Sequence, residues 1–405
     1  MERYTQRQVR LLIAMFVAYT AAYISRTNIS PALDAIQQHF SLTAAQVGWL
    51  PTLFAVPYAL GQVVNGALAD HFKPRNFILT GLMGSAAMNI LFSMSNNYVH
   101  LLVLWALNGC FQSMIWTPIV KIMADEYQPS IRPRASFAIS MTLIVGYLAA
   151  WGLSGVMTST IGWQWAFRMS GIVTAVLAGM SFFALGGKSR GVAEEEEIPP
   201  QEEEMPRVSL GKLLFGTDLF MLLIGCMFNG YVRDSIMNWA PKMLVDTQGV
   251  DLSSALGVML IIPLINFAGI LAGKYAYRKM GGNVRNTCVL LLLCCAGFSL
   301  VLTVGFEVSA IFCTVLLGLC SAMTYGINPL LTSFLPMDYK KLGRVGMAAG
   351  LIDAVIYLGS AFSGTFAGMI HDLFGWDAVF ASWTFFSLIG TAMFLLAIRL
   401  NKTRA

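Results

Sequence analysis

Two arginines, Arg26 and Arg233, stand 207 residues apart, each inside an apolar stretch of bilayer-crossing length. A charge at the middle of a bilayer costs about 2.5–3.5 kcal/mol on insertion scales, so an intramembrane cation marks a functional site. Guanidinium stays charged and offers a planar fork of donors that fits phosphate or carboxylate. Two such groups could clamp a dianion. The nearest acid to Arg26 in sequence, Asp34, is two helical turns away. Arg233 is followed by Asp234, but adjacent helical positions point about 100° apart. A carboxylate, Asp353, lies inside another apolar stretch. There it could take a proton, pair with an arginine, or face a water-filled vestibule. Lys121 stands near the end of its stretch, where snorkelling accounts for it. The four histidines, His39, His71, His100 and His371, all fall near loops. No Walker A loop, metal-ligand cluster or activated nucleophile is present in the sequence. The chain therefore does not read as an enzyme or an ATP-driven pump, and no cofactor or nucleic-acid partner is indicated.

The elements that position these residues are membrane spans. Hydrophobic residues make up 57% of the chain and charged residues 12%, against roughly 25% charged in soluble proteins. So few charges cannot cover a 405-residue soluble surface. Segments of about 20 apolar residues are expected at 11–32, 47–68, 76–94, 100–123, 136–158 and 165–185. A second set is expected at 213–240, 252–272, 287–303, 309–335, 345–370 and 379–400. With twelve spans, nearly all basic loop residues fall on one side, which predicts cytoplasmic termini in a multi-pass cell-membrane protein. Arg168 and Lys242 are the exceptions. The seven cysteines lie in apolar stretches and read as small packing side chains. The expected domains are a six-helix half at 1–187, an acidic linker at 188–211 and a second half at 212–405. The linker holds two glutamate runs at 194–197 and 202–204 and cannot bury apolar area.

The halves repeat. Gly66, Asp70, Lys73 and Arg75 follow the second span; Gly273, Tyr277, Arg278 and Lys279 follow the eighth, and Gly66 and Gly273 stand 207 residues apart. The same interval carries Arg26 onto Arg233. Gly162–Trp163 precedes the sixth span and Gly375–Trp376 the twelfth, 213 residues apart. A parallel repeat of six-helix halves is the architecture of major facilitator transporters, with substrate sites near the midplane. The chain resembles that superfamily, whose signature after the second helix is met by Gly66, Leu68, Asp70, Lys73 and Arg75. The expected fold is an all-α membrane protein of twelve transmembrane helices in two pseudo-symmetric halves. In the family the signature braces the cytoplasmic side of the outward-open state.

A narrower family is also similar. The run from Tyr23 through Arg26 to Asn28 resembles the first helix of the organophosphate:inorganic phosphate antiporters, the glycerol-3-phosphate and hexose-phosphate carriers. Tyr231, Arg233, Trp239 and Pro241 resemble their seventh helix. Asn108, Gly109, Gln112, Trp116 and Pro118 resemble their fourth, and Gly346, Gly350, Tyr357 and Gly359 their eleventh. The resemblance implies a rocker-switch exchanger without a cofactor, in which the two arginines hold phosphate. It maps substrate-site aromatics to Tyr19, Tyr23, Tyr58, Tyr325 and Tyr357, and Gln62, Gln112 and Asp353 join them as candidates. Gln62 stands where the family commonly has lysine, and Leu143 where the glycerol-phosphate carrier has histidine. One basic group fewer suggests a smaller or less charged anion, or different handling of the sugar part.

Three functions follow as expectations. The leading one is exchange of phosphorylated metabolites for inorganic phosphate. The second is proton-coupled transport of a carboxylate such as a sugar acid, using Asp353. The third is a transporter-like sugar-phosphate sensor. One chain suffices for a two-half site, so a monomer is expected.

Overall fold

The computed structural model describes residues 4–68, 72–128, 131–186, 209–249, 251, 254–255, 259–342 and 345–404. Asp70 of the loop motif, the glutamate runs of the linker and the start of the eighth span at Leu252 lie outside these residues. The described chain is all helix and connecting turn. In order the helices are α1 (Gln6–Ile24), α2 (Ile29–His39), α3 (Ala44–Leu68), α4 (Pro74–Phe92), α5 (Tyr98–Gln112), α6 (Trp116–Glu126), α7 (Arg132–Ser140), α8 (Thr142–Thr160) and α9 (Trp163–Leu185). They continue with α10 (Leu210–Phe215), α11 (Leu219–Gln248), α12 (Ile261–Lys279), α13 (Val284–Gly305), α14 (Ala310–Pro329) and α15 (Val345–Arg404).

Among the described residues, eight segments are long and apolar enough to cross a membrane. The last, within α15, holds two spans that meet at Gly375, and α3, α4 and α12 complete the twelve of a major facilitator fold. Several spans are broken. The first divides into α1 and α2, with Ser25 to Asn28 between them. The fourth divides into α5 and α6. Each restart carries a proline in its first turn, Pro31 and Pro118, where a missing N–H removes no helical bond. The Gly–Trp repeat marks one kind of turn in both halves. Gly162 (φ 107°) and Gly375 (φ 80°) sit in the left-handed region, which only glycine visits freely, and each tryptophan opens the next span.

Contacts divide the chain into two units: Met1–Leu42 with Leu53–Glu197, and Thr43–Thr52 with Ile198–Ala405. In the first, α1 packs on α8 and α9, and α4 on α5 and α9, around Leu11, Met15, Ala18, Leu82, Ile119 and Ile139. In the second, α11 and α13 pack on α15, and α12 on α14, around Leu222, Leu292, Ile327, Ile356 and Phe394. Lipid is as apolar as these side chains, so close packing and internal hydrogen bonds hold the helices together. The start of α3 belongs to the second unit. The Asp372 carboxylate accepts from the N–H groups of Ala44 and Ala45 at 2.9 and 2.7 Å, a favourable charge at a helix N-terminus.

Each unit also has an acid–tyrosine latch. In the first, Glu126 pairs with Arg7 at 2.7 Å and Tyr127 donates to Gln8 O at 2.5 Å. In the second, Asp338 pairs with Arg285, which also holds Asp218 at 2.6 Å, and Tyr339 donates to Asp218 Oδ1 at 2.9 Å. Burial pushes both phenols well above their ordinary range, and neighbouring carboxylates add to it. Both tyrosines therefore stay protonated as donors.

Candidate functional site

Arg26 sits in the break between α1 and α2. The sequence Ser25-Arg26-Thr27-Asn28 offers its own side chains to the backbone, which competes with helix. Thr27 Oγ1 donates to Tyr23 O at 2.9 Å and Ser25 Oγ to Ala21 O at 3.1 Å. The released carbonyl of Ser25 accepts from Asn89 Nδ2 and Asn108 Nδ2, both at 2.9 Å. Gln112 Nε2 reaches Ala22 O at 3.0 Å and the hydroxyls of Ser25 and Ser85 at 2.9 Å. Ser85 donates to Asn108 Oδ1 at 2.6 Å, and Asn28 Nδ2 to Asn89 Oδ1 at 2.9 Å. Ser25, Asn28, Ser85, Asn89, Asn108 and Gln112 are all buried. A buried network of this kind fixes one geometry, because an unmade bond inside it is costly.

The network leaves Arg26 half-buried over aromatic faces. Its guanidinium carbon lies 4.0 Å from the Tyr23 ring centroid and 5.7 Å from that of Tyr19. Tyr19 packs on Trp116 at 5.0 Å, and Tyr23 on Tyr147 at 5.6 Å. A ring face attracts a cation without neutralising it. Tyr58 is buried and stacked on Phe54 at 5.8 Å. Gln62 accepts from Thr117 Oγ1 at 3.4 Å.

Arg233 lies inside the unbroken α11 and is held differently. Its Nε and Nη2 donate to Asp234 Oδ1 and Oδ2 at 2.8 and 3.0 Å, and its Nη1 donates to Asn328 Oδ1 at 2.8 Å. The 100° separation of adjacent positions argues against this pair, and the structure corrects that argument. The arginine stem is long enough to bring the fork round to its neighbour's carboxylate. Ser360 of α15 donates to Asp234 Oδ2. It reaches because α11 and α15 touch at Gly230 and Gly359, where a Cβ would meet the backbone at Ile356 and Met227. The Tyr325 ring lies 5.9 Å from the guanidinium carbon, and Tyr357 of α15 is half-buried. Asp353 is exposed; the hydrogen-bonding partners of Arg233 are Asp234 and Asn328, not Asp353.

The structure thus gathers Tyr19 and Tyr23 around Arg26, and Tyr325 beside Arg233. Gln112 serves the break beneath Arg26. Of the loop motif, Gly66 lies in α3, Lys73 caps α4 exposed to solvent, and Arg75 lies over the Phe182 ring at 5.0 Å. Sequence reasoning missed Asp234 as a partner, and Ser25, Ser85 and Asn89 as supports. The signal for the supports was available: single polar residues in the middle of apolar spans.

An all-α chain of twelve spans in two repeated halves, with an arginine at the matching place of each, defines a polytopic membrane carrier rather than an enzyme. The Major Facilitator Superfamily model matches residues 15–345, and the chain belongs to that family. It is 24% identical to the membrane sensor protein UhpC of Salmonella typhimurium, over 94% of this chain and 89% of that one. It is 23% identical to a probable hexose phosphate transport protein of Chlamydia pneumoniae, over 97% of this chain and 92% of that one. Among solved structures, it matches the inward-facing, occupied form of a bacterial homolog to the human lysosomal transporter Spinster. The TM-score is 0.81, at 17% identity and 98% coverage of both chains.

Proposed function

We propose that the protein is a secondary transporter of small organic anions that exchanges phosphorylated metabolites for inorganic phosphate by alternating access. The halves are 1–187 and 212–405, joined by the linker 188–211. Arg26 and Arg233 hold the anion, and Tyr19, Tyr23, Tyr58, Gln62, Gln112, Tyr325, Tyr357 and Asp353 belong to the same site. The observation that carries this reading is the arginine pair, one per half, each set in an apolar span where a cation is expensive. The resemblance to a hexose phosphate transport protein supports it. A bound dianion offsets both cations and lowers the barrier to swapping open sides. The empty carrier rocks slowly, which makes exchange obligatory. Gly66, Asp70, Lys73 and Arg75 brace one of the open states. The carrier works as a monomer in a cell membrane, a bacterial inner membrane, with both termini cytoplasmic.

The Arg233–Asp234 pair favours one second reading. A substrate carboxylate that takes the place of Asp234 leaves that acid without its cation, and a proton restores the balance. This describes a proton-coupled carrier of a carboxylate such as a sugar acid, with Asp353 as a further proton site.

The test is radiolabelled phosphate uptake into proteoliposomes preloaded with phosphate, for wild type, Arg26→Lys and Arg233→Lys. The proposal expects uptake that needs internal phosphate and is lost in both variants. Uptake of a sugar acid driven by a pH gradient, with no phosphate exchange, would replace it by the second reading. Sugar-phosphate binding without flux would point instead to a sensor, the role named for the UhpC relative.

A further inference from the structure

We propose that Asp234 is a built-in competitor for Arg233: an anionic substrate engages that arginine only by displacing the Asp234 carboxylate. The inference rests on the reading of Arg233 as an anion-binding residue. A guanidinium grips phosphate or carboxylate best through a two-donor edge. At Arg233 the edge formed by Nε and Nη2 is filled by both oxygens of Asp234, and Nη1 is engaged by Asn328. Three of the five donors of the fork are thus occupied.

Three features make this pair one to be exchanged rather than a permanent support. Its members are adjacent on one helix, where side chains diverge by about 100°, so both must bend to meet. The carboxylate is the more exposed partner, 19% against 11% for the arginine. Ser360 donates to the same carboxylate from α15, which gives Asp234 a partner when the arginine is taken. The other groups around Arg233 in this unit are Tyr325, Tyr357 and Asp353. Among the described residues they include no second cation that would retain Asp234.

Competition sets selectivity. A ligand with one charge and the geometry of a carboxylate gains nothing in direct exchange for Asp234. A phosphate dianion brings more charge to the same edge and displaces it. The site then prefers phosphate and phosphate monoesters to monocarboxylates, and the preference resides in Asp234.

The test is binding of inorganic phosphate and of gluconate to the purified full chain by isothermal titration, for wild type, Asp234→Asn and Ser360→Ala, with thermal midpoints as a check of folding. Removing the competitor is expected to tighten phosphate binding roughly tenfold, the scale of a hydrogen bond to a charged group, and to bring gluconate into the measurable range. Ser360→Ala, which leaves every charge in place but removes the partner that Asp234 keeps when the arginine is taken, is expected to weaken binding of both ligands by a smaller factor. Unchanged or weaker phosphate binding in a folded Asp234→Asn overturns the proposal. If that variant does not fold, unchanged or tighter phosphate binding in Ser360→Ala overturns it. Gluconate tightened by Asp234→Asn while phosphate binds to no variant would remove the phosphate reading and leave the competition standing. Binding of neither anion to any variant would overturn both.

Discussion

The two halves carry their arginines by different means. In the first, the helix is broken, the freed carbonyls are caught by Asn89, Asn108 and Gln112, and the cation lies over Tyr23. In the second, α11 runs unbroken from Leu219 to Gln248, and the side chain is held by Asp234 and Asn328. One half fixes the backbone and lays the guanidinium over a ring face; the other grips the side chain with a carboxylate and an amide. A repeat can keep the position of a functional residue while the surrounding side chains change how it is held.

The sharpest way to break this comparison is to remove the charges one at a time. Arg233→Gln strands the Asp234 carboxylate and is expected to cost about 3 kcal/mol of stability, the scale of breaking a buried ion pair. Arg26→Gln gives up its contacts with the Tyr23 and Tyr19 faces, about 1–2 kcal/mol. Thermal midpoints in one detergent check the order, and equal losses would contradict it. Next in size is Asn108→Leu. It leaves the Ser25 carbonyl with one donor fewer and takes one of the two acceptors open to the Ser85 hydroxyl, and is expected to cost about 2 kcal/mol. A loss near zero would mean that the network is not what holds the break. The smallest contrast is between the latches. Tyr339→Phe removes a bond to the Asp218 carboxylate and is expected to cost about 2 kcal/mol; Tyr127→Phe removes one to the Gln8 carbonyl, about 1 kcal/mol. Denaturation midpoints of the two variants, compared side by side, check the ratio.

Much of this arrangement was legible in the sequence. The spans follow from apolar length, and the interval between Gly162 and Gly375 predicts a repeated turn whose cause is a left-handed glycine. Arg26 and Arg233 stand out because a cation in an apolar span is expensive. The break at Ser25 was hidden, since hydropathy averages over four polar residues in a long apolar run. The Arg233–Asp234 pair was hidden for a different reason. Helical-wheel geometry treats side chains as short spokes, and arginine is long enough to leave its spoke. The latches were legible and went unread: Glu126–Tyr127 and Asp338–Tyr339 stand 212 residues apart, an interval close to that of the arginines.

The central claim is that Arg26 and Arg233 bind one and the same anion. A double-mutant cycle on phosphate binding, using Arg26→Lys, Arg233→Lys and the double variant, tests it most directly. Residues that touch the same ligand are expected to couple by about 0.5–3 kcal/mol, so the double variant should lose measurably less than the sum of the single losses. Strict additivity, or phosphate binding unaffected by either single change, would contradict the claim.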